Sequence, residues 1–304
     1  MENKLVIFDA FALIYRAYHA MPPLTSKDGQ PISAIYVLTS MLLTVVDLLK
    51  PTHIIFAFDE LEKTFRNKLL DSYQAQRKET PEELSSQFPK SKELIKALKI
   101  PMYSKAGFEA DDVIGTIANL VSKKENNFEV IVVTGDRDIL QIVDDSKNVK
   151  LFMPISGMSN GKIFKETETI ERMGVKPSQI PDYKALVGDP SDNYFGISGI
   201  GPKTAINLLE KFENIDGIYK NIDSLPEKVK TKLIDGRESC MLSLKLATIV
   251  KDVPIDFDVN DSANWDLGSK EVLELFGRYG FKTLTARLKK LADKIESERQ
   301  GNLF

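Results

Sequence analysis

Residues Leu5-Val6-Ile7-Phe8-Asp9 set four consecutive apolar residues against a carboxylate, and the arrangement recurs along the first half of the chain. His53 to Phe58 is followed by Asp59, and Val130 to Thr134 by Gly135, Asp136 and Asp138. Val149 to Met153 forms a further short β-branched and apolar run. Such runs, separated by longer stretches of helical periodicity, indicate βαβ units: an α/β fold with a mostly parallel central sheet and helices on both faces. Parallel strands deliver the residues at their C-terminal ends to one edge of the sheet, where ligands of open α/β folds bind. Asp9, Asp59, Asp136 and Asp138 are therefore expected to emerge together.

The remaining organisation is read around that sheet. Residues 1–166 are assigned to the α/β domain, and a charged, strand-free insertion at about 61–97 interrupts it. An insertion of that length in a compact domain is functional or disordered. Ser156 to Lys162, rich in Gly, Ser and Asn, predicts a hairpin turn. Residues 167–292 read as a smaller helical domain, with Gly-rich punctuation from Gly196 to Gly201 and a Lys/Arg-bearing helix from Lys282 to Lys294; residues 293–304 read as a flexible tail.

Composition limits the chemistry. With 304 residues, 42% of them apolar, the chain can bury a substantial core. A single cysteine, Cys240, excludes an internal disulfide, and two histidines, His19 and His53, are too few for a histidine-rich metal site. Any metal must then be held by oxygen, which favours magnesium or manganese. The apolar segment from Ile32 to Leu49 is interrupted by Ser33, Thr39, Ser40, Thr44 and Asp47 and predicts a buried amphipathic helix, not a membrane span. The N-terminus enters a strand at once, without a secretion signal, and a cytoplasmic, nucleoid-associated monomer with no membrane partner is expected. The net charge of −3 does not exclude nucleic acid, because carboxylates neutralised by cations do not repel phosphate as the total implies.

The acids carry the functional reading. Glu109, Asp111 and Asp112 open an apolar-periodic helix from Val113 to Val121, and Asp189 and Asp192 precede the glycine-rich turn. Each of these acids alone could be a helix cap. Together at one sheet edge they would repel by several kcal/mol at low effective dielectric unless cations sat among them. No Ser, Cys or His stands in a comparable position, so the expected nucleophile is a metal-activated water. Two divalent ions about 4 Å apart can activate water and stabilise both oxygens of a phosphodiester displacement.

At this point the residues resemble a family. Asp9 to Ala20, Gly107-Phe-Glu-Ala-Asp-Asp-Val-Ile-Gly-Thr, Thr134-Gly-Asp-Arg-Asp-Ile-Leu-Gln, Asp182-Tyr-Lys-Ala-Leu-Val-Gly-Asp-Pro-Ser-Asp-Asn and Gly199-Ile-Gly-Pro-Lys-Thr-Ala are similar, in this order, to the 5′ nuclease domain of bacterial DNA polymerase I. The resemblance extends from the first strand to about Phe281. It implies a PIN-like, resolvase-like core with a helix-hairpin-helix domain, and 5′ to 3′ exonuclease and 5′-flap endonuclease activity on DNA, in primer removal and repair. Carried over by position, it implies nine metal ligands for two magnesium or manganese ions: Asp9, Asp59, Glu109, Asp111, Asp112, Asp136 and Asp138, with Asp189 and Asp192.

The resemblance also makes the insertion a helical arch that threads a single-stranded 5′ end. Arg66, Tyr73 and Arg77 are then catalytic groups of the arch, and Lys78, with Arg16, contacts substrate by charge and stacking. The turn at about 192–212 is similar to a helix-hairpin-helix element. Its Gly199 and Gly201 would bring backbone N–H groups to a duplex phosphate, Lys203 and Thr204 would add charge and hydrogen bonds at the following helix start, and its carbonyls would hold potassium.

Three positions depart from the family pattern. Ala10 stands where glycine is usual, Gln74 where lysine is, and Phe195 where proline is. Ala10 and Phe195 are expected to alter only the local backbone, whereas Gln74 removes a cation near the scissile phosphate. No polymerase region is expected to follow the nuclease-like part, and Gln300-Gly-Asn-Leu-Phe304 resembles the Gln-x-x-Leu-Phe peptide that docks on the bacterial sliding clamp, with Gln300, Leu303 and Phe304 as its contacts. Two other classes are weighed beside the nuclease: a structure-specific DNA-binding protein with weakened catalysis, and a ribonuclease on the same acidic core. The complete set of acids speaks against the former, and the insertion with the Gly-Ile-Gly turn against the latter.

Overall fold

A computed structural model describes residues 3–124 and 128–301. In chain order the elements are β1 (Asn3–Asp9), α1 (Ala10–Tyr18), α2 (Ser33–Leu49), β2 (His53–Ala57), α3 (Phe65–Leu69), α4 (Glu82–Ser85), α5 (Phe88–Ala97), β3 (Met102–Tyr103), α6 (Ala110–Lys124), β4 (Phe128–Val133), β5 (Val149–Met153) and β6 (Lys162–Phe164). After these come α7 (Glu166–Met173), α8 (Ile180–Val187), β7 (Gly188–Asp189), β8 (Tyr194–Phe195), α9 (Pro202–Phe212), α10 (Ile215–Lys220), α11 (Glu227–Asp235), α12 (Arg237–Ala247), α13 (Lys270–Tyr279) and α14 (Lys282–Gly301).

The sheet has the order β3-β2-β1-β4-β5-β6. All its pairings are parallel except that of β5 with β6, which are joined through the hairpin predicted at Ser156 to Lys162. β1 lies between β2 and β4, with Ile7 in register with Ile55 on one side and Val132 on the other. Chain direction across the sheet reverses there, so the crevice at the C-terminal ends of β1 and β4 is the topological switch point. Asp9 ends one of these strands, and Asp136 lies three residues beyond the other.

Strand alternation sorts the core into two layers. Val6, Phe8, Ile54, Phe56 and Val133 face one side, where the Phe8 and Phe56 rings stack with centroids 4.7 Å apart. Leu5, Ile7, Ile55, Val130 and Val132 face the other, against α6 and the helices from α8 to α12. The segment from Ile32 to Leu49 is the predicted helix, largely buried on the first side, and among the described residues no helix is long and apolar enough to cross a membrane.

Two boundaries differ from those expected of the sequence. The helical domain does not run to residue 292: α13 and α14 return to the sheet domain, where Val272, Leu275, Phe276, Leu284 and Leu288 join the core containing α2 and α5. α14 continues to Gly301, tied to the sheet domain by Lys294–Asp47 at 2.6 Å and Lys50–Glu298 at 2.8 Å, so no flexible tail begins at 293. Leu303, Phe304 and the Gln300 side chain lie outside the described residues.

The insertion at about 61–97, expected to be a helical arch, contains three short helices. It is divided into α3, a run of turns, α4 and α5, because Pro81 caps α4 and Pro89 stands at the start of α5, where neither can continue a preceding helix. Its turn region folds down onto the sheet edge, where the Gln74 N–H donates to the Asp192 carbonyl at 3.0 Å.

Candidate metal centre

Each acid is aimed by an ordinary local device. Asp9 caps α1, accepting from the Ala12 N–H at 3.2 Å through one oxygen, while the other accepts from Thr134 Oγ1 at 2.6 Å. Asp59, in the loop after β2, accepts from the Ala110 N–H at 2.9 Å and so caps α6 from another element. After β4, Thr134 Oγ1 accepts from the Asp136 N–H at 2.9 Å, and Asp136 accepts from the Asp138 N–H at 2.8 Å. The capping reading of single acids is thus true of Asp9 and Asp59, and the same bonds fix where their free lone pairs point.

The result is a cavity of about 260 Å³ at the sheet edge, lined by Asp9, Asp59, Glu109, Asp111, Asp136, Asp138 and Asp192. Burial, opposed by the Thr134 hydrogen bond and aided by the charges of Asp59 and Asp136, raises the Asp9 carboxyl from 3.8 to about 7. Burial with Asp136 and Asp9 nearby holds Asp111 well above the ordinary carboxylate range. Glu109 is raised to about 7, mainly by burial against the opposing pull of Arg66, and Asp138 to about 6, by burial against the pull of Lys184. Carboxylates in this state bind protons or cations, and oxygen is the donor that hard divalent ions take. The donor set therefore fits a hard divalent ion.

A second cluster adjoins the first. Carboxylate oxygens of Asp138, Asp189 and Asp192 lie within 4.8 Å of one another, a grouping able to hold a metal ion. The antiparallel β7–β8 pair carries Asp189 into it. The Lys184 ammonium bridges Asp138 and Asp189, the latter at 2.5 Å, and holds the Asp189 carboxyl below its ordinary value against the effect of burial.

Asp112 departs from the expected ligand set. It does not line the cavity. Its oxygens meet Arg66 Nη1 at 2.7 Å and Nη2 at 2.9 Å, and also accept from the N–H groups of Glu109 at 3.1 Å and Val250 at 2.9 Å. Four donors occupy the lone pairs a metal would need.

Two residues of the insertion, Arg66 and Tyr73, are drawn into the same wall. Arg66 lines the cavity but is buried, with Nε donating to the Leu246 carbonyl at 2.8 Å and Nη2 to the Thr248 carbonyl at 3.0 Å. Tyr73 is 4% exposed, stacks on Tyr194 at 6.5 Å, and offers its hydroxyl to Glu109 at 3.3 Å and Asp192 at 3.2 Å. It lines the acid cavity, with its hydroxyl among the acids. Arg77, half-exposed, pairs with Asp192 at 2.8 Å and lines both the acid cavity and the cleft beside it. Gln74 shares Asp192, at 3.2 Å.

That cleft, of about 1190 Å³, brings together Arg16, Arg77, Lys78, Arg137, Arg172 and Lys184. Sequence reasoning found Arg16, Arg77 and Lys78. It missed Arg137, although Arg137 stands inside the Thr134-Gly-Asp-Arg-Asp motif, and Lys184, inside the Asp182 to Asn193 motif; Arg172 on α7 carries no local signal. Beyond the acids, Gly199 takes φ +76° and opens the turn before α9, where Lys203 is exposed and Thr204 half-buried. The Gly199 carbonyl accepts from the Lys232 ammonium at 2.8 Å, so one of the carbonyls expected to face potassium already meets a cation of the chain. Gly201 has open space around it. Ala10 is buried at the start of α1, whereas Phe195, expected to matter only to the backbone, stands 80% exposed.

Comparison with known proteins places this geometry. Residues 4–174 match the family described as 5′-3′ exonuclease, N-terminal resolvase-like domain, and residues 175–271 match 5′-3′ exonuclease, C-terminal SAM fold. The 5′-3′ exonuclease of Bacillus subtilis (strain 168) is 36% identical over 95% of this chain and 97% of its own length. DNA polymerase I of Caldicellulosiruptor bescii is 36% identical over 94% of this chain, which spans 33% of that protein, about a third. Among solved structures, T5 5′-exonuclease with bound zinc has a TM-score of 0.65 at 23% identity, covering 96% of this chain and 100% of that one. Flap endonuclease-1 from Methanococcus jannaschii has a TM-score of 0.59 at 17% identity, covering 98% and 94%. At these identities the two structures speak for the fold. The sheet-edge acids, the basic cleft and the match across both domains together make this chain a member of the 5′-3′ exonuclease family, a nuclease built from a resolvase-like domain and a SAM-fold helical domain.

Proposed function

We propose that the chain hydrolyses phosphodiester bonds of DNA carrying 5′ flaps, nicks or free 5′ ends, with two magnesium or manganese ions held by the sheet-edge acids. The observation that carries this reading is the convergence of Asp9, Asp59, Asp111 and Asp136 from separate strands and helices into one cavity. Asp9, Asp59, Glu109, Asp111 and Asp136 would hold one ion, and Asp138, Asp189 and Asp192 the other; Asp112 positions Glu109 and Arg66 behind them. When bound, such ions lower the pKa of an attacking water and stabilise the charge on the attacking and leaving oxygens.

The protein's own groups supply the rest. Arg77, between cavity and cleft, would meet the scissile phosphate, and Arg16, Lys78, Arg137 and Arg172 would track the strand leading to it. The Gly199–Gly201 turn with Lys203 and Thr204 would take a backbone phosphate of the duplex, by contacts that carry no base information. Primer removal and repair at the nucleoid, in the cytoplasm, would follow from that substrate. Gln300, Leu303 and Phe304 would give a sliding clamp its contact; deleting 300–304 should abolish clamp binding and leave nuclease activity intact, and equal clamp affinity without the tail would dispose of that role.

The test is to incubate labelled 5′-flap DNA, nicked duplex and single-stranded RNA with the protein, with and without magnesium. Metal-dependent cleavage of the DNA substrates is expected. Binding without cleavage would favour the weakened DNA-binding protein, and cleavage of RNA alone the ribonuclease. Asp136→Ala should abolish cleavage while flap binding survives in calcium; normal cutting by that variant would refute the ligand assignment.

A further inference from the structure

Phe195 is an exposed aromatic held rigidly between the acids and the glycine turn. It is 80% exposed, yet nothing about its backbone is loose. Its carbonyl accepts from Ser239 Oγ at 2.9 Å and Ser243 Oγ at 2.7 Å, two hydroxyls one turn apart on α12. It pairs with Gly188 in the β7–β8 ladder. The next residue, Gly196, is so closely packed that a Cβ there would lie 2.4 Å from the Gly188 nitrogen. Strand alternation turns Tyr194 inward, 3% exposed, and sends Phe195 out.

The surroundings do not form an apolar patch of the kind that docks proteins. Ser239 and Ser243 flank the residue, and Met241, between them in sequence, falls on the opposite side of α12 by helical periodicity. The neighbouring turn carries the Lys232 ammonium on Gly199, and Lys203 is exposed beyond it. An exposed aromatic on the same stretch of chain as a cation-bearing turn is a combination that single strands use, because every base has a face to stack.

Its position selects the ligand. Asp192 precedes it by three residues and Gly199 comes four after it, so at roughly 3.3 Å per extended residue the acids and the turn each lie within about 10–13 Å. We propose that Phe195 stacks on a nucleobase of the DNA strand that runs from the turn to the acid cavity, fixing the register of the cut. The inference deepens the nuclease reading and rests on it. Stacking adds affinity without sequence preference, and it adds nothing at an abasic position.

The experiment scans 2-aminopurine, one position at a time, along each strand of a 5′-flap duplex, and measures its quenching and the DNA affinity with calcium replacing magnesium. Wild type should quench the probe at one position. Phe195→Ala should lose that quench and roughly tenfold in affinity, with the salt dependence unchanged, since no charge is altered. Phe195→Trp should keep both, and Phe195→Leu, apolar but without a ring, should lose the quench. An abasic site at the quenched position should weaken wild type and leave Phe195→Ala unaffected.

Equal quenching by wild type and Phe195→Ala, or full affinity in Phe195→Leu with no position-specific quench, would overturn the stacking role. Either result, if wild type still binds and cuts flap DNA, leaves the nuclease reading standing. A wild type that neither binds nor cuts flap DNA would overturn both.

Discussion

The Arg66 guanidinium and the Asp112 carboxylate meet through two parallel hydrogen bonds, 2.7 and 2.9 Å long, in the buried wall behind the acid cavity. The pair links α3 to α6, and Arg66 reaches on to the carbonyls of Leu246 and Thr248, so the insertion, the sheet domain and the helical domain share one ionic joint. Removing Asp112 leaves the buried Arg66 only Glu109, at 3.3 Å, as a counter-charge, and breaking a buried pair typically costs about 3–5 kcal/mol. Asp112→Ala is expected to destabilise the protein by that amount in denaturant unfolding. Loss of metal affinity with stability unchanged would instead make Asp112 a ligand.

Metal-free protein should lose stability as pH rises from about 4 to 7. Asp9 is raised from 3.8 to about 7, Glu109 from 4.5 to about 7 and Asp138 from 3.8 to about 6, so between pH 4 and 7 the native state binds more protons than the unfolded chain. Stability then falls with increasing pH in that window, because ionisation of the native cluster proceeds against burial and mutual repulsion. The fall should amount to roughly a few kcal/mol. Magnesium should abolish most of it by taking the place of the protons, and metal affinity should rise over the same range. Thermal unfolding at pH 5.5 and 8, with EDTA or magnesium, checks both; a metal-free protein more stable at pH 8 would contradict the assignment.

Much of this centre was legible in residues that report their own surroundings. Leu5 to Phe8 alternates across two core layers, and a strand with both faces buried and a carboxylate at its end announces the sheet edge. Asp59 and Asp136 come after their strands by the same logic. Arg66 could not be read this way, because in a stretch rich in Lys, Arg and Glu it resembles any solvated charge, and the groups that bury it are carbonyls 180 and 182 residues away. Tyr73 escapes a local reading for the same reason: its partners, Glu109 and Asp192, come from elsewhere in the chain. α13 and α14 show amphipathic periodicity, which says that one face is buried but not whose surface covers it.

Gln74→Lys should raise the single-turnover rate of flap cleavage several-fold. Gln74 lines the acid cavity, and its amide donates to Asp192 at 3.2 Å, beside Arg77. Its φ of +57° costs glutamine and lysine alike, so the substitution changes charge with little change in backbone energy. An ammonium at the cavity rim would favour the phosphate charge that grows toward the transition state. An unchanged or lower rate, at saturating magnesium, would mean that the ammonium is spent on Asp192 and that the missing cation does not limit turnover.

Lys203→Ala should weaken binding to unrelated duplex sequences by about the same factor and lower the slope of log affinity against log salt by about 1. Lys203 is exposed in the first turn of α9, where the helix N-terminus already favours anions, and it faces solvent beside a glycine turn with open space at Gly201. A phosphate contact there releases counterions regardless of the bases, so loss of the charge acts on all duplexes alike. Affinity measured at several salt concentrations on two duplexes of different sequence separates this from base readout: a loss confined to one sequence, with the salt slope intact, would remove Lys203 from the phosphate path and leave the turn's backbone to hold the duplex by itself.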